Sequence, residues 1–172
     1  MPNGNIERLR ESFKPKEIKV LMIAESPPFS GNFFYRGDDF AQFTHRAFVK
    51  VCEPVKGLTT DEFLHYFRNR GFYLEDLCHT PVNRMNDNDR RAERERGVEA
   101  LCKKIRRWRP RAIICCMKEI NEYVLRSIEL SELDRFYYFL LPYPRQKHIA
   151  SYISGLENVL HELKRIKKFL RC

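Results

Sequence analysis

The chain has 172 residues, 43% of them hydrophobic, and 32 lysines and arginines against 23 acids leave a net charge of +9. That length and composition exclude a disordered chain and fit one domain, residues 1–172, with a substantial core. No apolar run approaches a bilayer span and the N-terminus lacks a signal-peptide core, so a soluble, cytoplasmic, monomeric protein with no membrane association is expected.

In chain order, residues 1–16 are expected to form a loosely ordered extension. Residues 18–24 (IKVLMIA) read as a strand buried on both faces, the pattern of a parallel sheet. Thr59 and Glu62 make a capping box that opens a helix with Phe63, Leu64 and Phe67 on one side, and Gly71 ends it. A second strand follows over 72–77. Asn88 or Asp89 is the expected cap of a long helix carrying Val98, Leu101, Ile105 and Trp108, which Pro110 stops. A third strand is expected over 111–117, a short helix over 121–127, a fourth strand over 135–141 and an amphipathic helix over 149–170.

Strand and helix alternate throughout, which predicts an α/β fold: a three-layer α/β/α sandwich around a central, mostly parallel, four-stranded sheet. The six cysteines form no CxxC pair and read as small buried apolar residues, with neighbours Cys115 and Cys116 on opposite faces of their strand. In such sheets ligands sit beyond the carboxyl ends of the strands. Segments 25–35, 76–84, 117–119 and 142–148 fall there, and three of them are rich in polar, proline and aromatic residues. The basic excess favours a polyanionic partner, with nucleic acid the leading class.

Those segments resemble the uracil-DNA glycosylase superfamily. Ala24-Glu25-Ser26-Pro27-Pro28 is similar to the motif of form G-E-A-P-G that ends that family's first strand. Gly31-Asn32-Phe33-Phe34 looks like G-x-P-F, whose Phe stacks on a flipped base. Tyr73-Leu74-Glu75-Asp76, followed by Pro81-Val82-Asn83-Arg84, resembles the strand whose terminal Asn reads the base. Arg109-Pro110-Arg111 matches the R-P-[RK] before the next strand, and Pro142-Tyr143-Pro144-Arg145 is an imperfect H-P-S. The chain departs from the pattern at Ala24, Ser26, Asp76 and Tyr143. It also lacks the N-terminal cysteine pair of the members that hold an iron-sulfur cluster, so no metal or cofactor is expected.

The resemblance implies a DNA glycosylase acting in base excision repair on a damaged or deaminated base, working with the chromosome. Breaking an N-glycosidic bond needs a group that places water and offsets charge on the sugar, donors for the leaving base, and an aromatic platform. Glu25 or Ser26 is expected in the first role; the structural alternative is that Glu25 pairs with an arginine and Ser26 caps the loop. Ser26 as an acyl-transfer nucleophile is disfavoured because no G-x-S-x-G elbow is present. Tyr143 or His148 is expected to stabilise the base anion. Phe34, with Phe33 and Tyr35 as alternates, is the expected platform, and Ala24 and Asp76 complete the base site. Asp76 is either protonated, mimicking Asn, or ionised and matched to a base edge that presents a donor. Asn83, Arg84, Pro144, Arg145, Gln146 and Lys147 are expected at DNA, the last four as a wedge. Arg90, Arg91, Arg94 and Arg96 are candidates for phosphates, or for a solvated face paired with Glu93, Glu95 and Glu99. The alternatives are a non-catalytic nucleic-acid binder on the same fold and a nucleoside or nucleotide hydrolase.

Overall fold

The structure, a computed structural model, describes residues 2–166. It is an α/β sandwich with four parallel strands in the order β2-β1-β3-β4: β1 Val20–Ala24, β2 Phe72–Asp76, β3 Ala112–Cys115 and β4 Tyr137–Leu140. The helices are α1 Pro2–Ser12, α2 Asp39–Val51, α3 Thr60–Asn69, α4 Asp87–Trp108, α5 Asn121–Ser131 and α6 Ile149–Arg165. α4 and α5, which connect β2 to β3 and β3 to β4 in one direction across the sheet, pack on each other as right-handed crossovers require, and α6 packs on α2. No helix among the described residues is long and apolar enough to cross a membrane.

β1 runs through the middle with Val20, Leu21, Met22 and Ile23 wholly buried, which is why its sequence is apolar without alternation. Cys115 and Cys116 are both fully buried although neighbours on a strand face opposite ways, so the sheet is covered on both sides here. Pairing continues past the strand ends: Leu77 N–H donates to Ala24 O at 2.9 Å and Cys78 N–H to Glu25 O at 2.8 Å. The loops that follow β1 and β2 are thereby held together where the site lies.

The capping box at Thr59 forms as expected. Two expectations need correction, and one helix was missed. The N-terminal extension, expected to be loosely ordered, contains α1, which seats Ile6 and Arg10 in the core. α2 was not foreseen. The cap of α4 is Asn86, accepting from Asp89 N–H at 3.0 Å, not Asn88 or Asp89. The last helix is described only to Arg165, and residues 167–170 of the expected span lie outside the described residues, as does Cys172.

Candidate active site

Strand polarity collects the chemistry at one end. β1 delivers Ala24, Glu25 and Ser26, its parallel neighbour β2 delivers Asp76 in register with Ala24, β3 leads to Met117, and the loop after β4 carries Tyr143. Together with Phe33, Phe34, Asp38 and Phe40 they line a cavity of about 250 Å³. That is below the range typical for drug-sized ligands and suits a single ring system. Pro27 and Pro28 form part of the wall and stiffen it.

Glu25 is 8% exposed and fully engaged. Arg90 Nε donates to its Oε1 at 2.7 Å, Arg94 Nε and Nη2 donate to the same oxygen at 2.8 and 2.5 Å, and Arg90 Nη2 takes Oε2. Burial pushes this carboxyl up, but the two arginines outweigh it and hold it below the usual glutamate range. The structural alternative for Glu25 is thus what the geometry shows. Ser26 Oγ accepts from Val82 N–H at 3.3 Å and so ties the two loops together.

Asp76 is also buried, and Arg10 of α1 reaches beneath the cavity to pair with its Oδ2, while Arg10 Nη1 donates to Glu75 Oε1 at 3.0 Å. Lys104 completes this charge cluster through Glu75 Oε2 at 2.7 Å. Burial pushes the Asp76 carboxyl up to about 6, against the pull of Arg10. Pairing with Arg10 favours the ionised form, in which Oδ1, with no hydrogen-bond partner among the described residues, is an acceptor on the cavity wall. Burial draws Asp76 toward the protonated, asparagine-like form and Arg10 draws it toward the ionised acceptor, so each of the two expectations has a physical cause in the structure.

Phe34 is 2% exposed and wedged among Tyr35, Phe40 and Phe67 at ring separations of 5.2, 5.4 and 5.3 Å. It and Phe33 form the apolar wall. Tyr35 does not line the cavity: its hydroxyl bridges the backbone of Leu74, accepting from N–H at 2.7 Å and donating to C=O at 3.1 Å, and so satisfies the free edge of β2. Tyr143 packs against Phe40 in a tilted arrangement with ring centres 5.2 Å apart, and burial pushes its hydroxyl up to about 12, so it is a neutral donor.

His148 stands exposed at the start of α6 and does not line the cavity. Of the expected wedge, Pro144 is buried, Gln146 and Lys147 are exposed away from the cavity wall, and Arg145 alone lines it. Asn83 lies at the rim, where its Oδ1 accepts from Phe29 N–H at 3.2 Å, and Arg84 stacks 3.8 Å above the Phe29 ring. Among the α4 arginines, Arg96 pairs with Glu93 at 2.5 Å and Arg90 and Arg94 with Glu25. A second hollow of about 320 Å³ adjoins the cavity, with Arg90, Arg91, Arg94 and Arg145 facing Asp87 and Glu119.

Sequence reasoning missed Arg10, Asp38 and Phe40. Asp38 had a signal: it follows Gly37 and precedes apolar residues at helical spacing, the mark of an N-cap. It caps α2 by accepting from Ala41 N–H at 2.9 Å, and Gly37, at φ 73°, makes the left-handed turn into it. Neither any family model nor any curated protein matches this chain.

Proposed function

We propose that the protein is a DNA glycosylase akin to the uracil-DNA glycosylase superfamily, hydrolysing the N-glycosidic bond of a damaged or deaminated base flipped out of DNA. The observation that carries this reading is the convergence of Glu25, Phe34, Asp76 and Tyr143, residues spread over most of the chain, on one cavity of about 250 Å³ beyond the carboxyl ends of the strands. Phe33 and Phe34 supply an apolar wall for an extruded ring. Asp76 offers an acceptor to its edge. Tyr143 offers a hydrogen bond to the charge that gathers on the departing base. The arginine-lined hollow beside the cavity suits the phosphates that flank a flipped nucleotide, and the net charge of +9 has the matching sign.

A second reading has its own support. Glu25 is bound on both oxygens by two arginines, which suits a protein that holds nucleic acid without cleaving it. A nucleoside hydrolase would use the same cavity without the arginine hollow. One panel separates all three: oligonucleotides carrying uracil, hypoxanthine, xanthine, or alkylated or oxidised bases, single-stranded and opposite each normal base, with free nucleosides alongside. Release of a base leaving an alkali-labile abasic site is the expected result. Salt-dependent binding with no release on any substrate would favour the binder, and release from nucleosides alone would favour the third reading.

A further inference from the structure

Three carboxylates line the cavity, those of Glu25, Asp38 and Asp76, and they differ in what holds them. Four N–H bonds from Arg90 and Arg94 neutralise Glu25, three of them crowding Oε1. A carboxylate stabilised this way is a weak base. Asp76 is tied to Arg10. Asp38 has no ion-pair partner among the described residues; backbone N–H groups at the start of α2 hold it in place and leave acceptor capacity unused.

We propose that Asp38, and not Glu25, is the carboxylate that takes the proton from the attacking water, and that Glu25 acts as a positioning residue for Arg90 and Arg94 at the cavity rim. This rests on the glycosylase reading. Asp38 is fixed on a rigid helix cap, two residues before Phe40, against which Tyr143 packs. The water oxygen bonds to the anomeric carbon of the sugar as the carbon–nitrogen bond breaks, and the electron pair leaves with the base. Tyr143 donates a hydrogen bond to that base and keeps its proton. The proton taken up by Asp38 passes through solvent to the released base, so water is added across the bond with no other reactant.

The groups that face Asp38 set how it titrates. Asp39 adjoins it on α2, Tyr152 of α6 and Tyr143 stand near, and Glu25, Asp76, Arg90 and Arg145 share the cavity wall. Burial pushes the Asp38 carboxyl up to about 6, with Asp39 adding to the effect. A base raised in this way loses activity on the acid side at a higher pH than an ordinary carboxylate would.

The test is base release from whichever oligonucleotide of the panel the wild-type protein cleaves. Asp38→Asn keeps the cap, since Asn caps as well as Asp, but removes the base. We expect its rate to fall by about 10²–10⁴-fold, with no loss of stability at neutral pH and DNA affinity within a few-fold. The acid limb of its residual pH–rate profile should vanish. Asp38→Ser, another good cap, should lose as much. Glu25→Gln should retain the acid limb whatever its rate. Wild-type-like release by Asp38→Asn, or an acid limb lost in Glu25→Gln and kept in Asp38→Asn, would overturn the assignment while leaving the glycosylase reading intact. Absence of release by the wild-type protein on every substrate would overturn both.

Discussion

Arg10 and Asp76, 66 positions apart, form an ion pair sealed beneath the cavity, with Arg10 1% exposed and Asp76 4%. One guanidinium serves both Asp76 and Glu75, and burial alone would disfavour its charge; the two carboxylates reverse that and raise its pKa. Arg10→Met leaves two buried carboxylates without this cation. Breaking a buried pair from one side costs about 3–5 kcal/mol, so the urea midpoint should drop sharply. Adding Asp76→Asn should recover part of the loss, and the double-mutant cycle measures the coupling. An Arg10→Met protein as stable as wild type would mean that α1 contributes nothing to the floor of the site.

The cavity carboxylates give opposite signs of pH dependence. Asp38 and Asp76 titrate near 6 when folded and near the ordinary 3.8 when unfolded, so the folded chain binds protons more tightly between those values. Their contribution to stability is full below about 3.8 and is lost as pH rises through about 6. Glu25, held below its ordinary 4.5, contributes stability above that value and loses it as pH falls through its folded value. For Asp38 the difference corresponds to at most ~3 kcal/mol, which its partial exposure reduces to about 1–2 kcal/mol. Urea unfolding of wild type and Asp38→Asn at pH 4 and pH 7.5 checks this. The variant should gain on the wild type by that amount at the higher pH, and an equal difference at both would show that Asp38 titrates normally.

How legible each part was depends on the range of the interaction behind it. β1 could be read directly because burial on both faces writes a continuous apolar run, and α3 because its capping box is local. α2 carried a usable pattern in Asp38, Phe40, Ala41, Thr44, Ala47, Phe48 and Val51, blurred by the off-face apolar residues Phe43 and Val49. The run Asn86-Asp87-Asn88-Asp89 offers several chemically similar caps, so the choice among them was not readable. α1 has little apolar pattern and is anchored in part by ion pairs to β2, which no periodicity records. The same limit applies to Glu25: its residue type marked it as reactive, while the arginines that quiet it lie 65 and 69 positions away.

Gly97 is where α4 meets the end of β2. A Cβ there would lie 2.3 Å from the carbonyl oxygen of Leu77 and 3.0 Å from its carbon, both backbone atoms. Leu77 follows Asp76 directly and its N–H is bonded to Ala24, so it cannot yield without moving the site. Alanine is the better helix former by about 1 kcal/mol, but the clash should win. Gly97→Ala is expected to lose about 1–3 kcal/mol net, read as a lowered urea midpoint. A stabilised variant would mean that α4 stands farther from β2.

Phe29 is 58% exposed beside Asn83, which lines the cavity; its own N–H donates to Asn83 Oδ1 and the Arg84 guanidinium lies 3.8 Å from its ring centre. No burial is gained by leaving the ring there, and the surrounding contacts fix it in place. On the glycosylase reading it is a stacking surface for a base next to the flipped one, since stacking on an aromatic is tolerant of sequence. Such a contact is worth about 1–3 kcal/mol per base, so Phe29→Ala should weaken DNA binding roughly 5- to 100-fold with little change in salt dependence or melting. Arg84→Ala should instead lower the salt slope by about one phosphate contact. Fluorescence anisotropy at several salt concentrations separates the two effects. Unchanged affinity in Phe29→Ala would remove the ring from the interface, whereas a changed salt slope in that variant would mean that the loop carrying it had moved Arg84 as well.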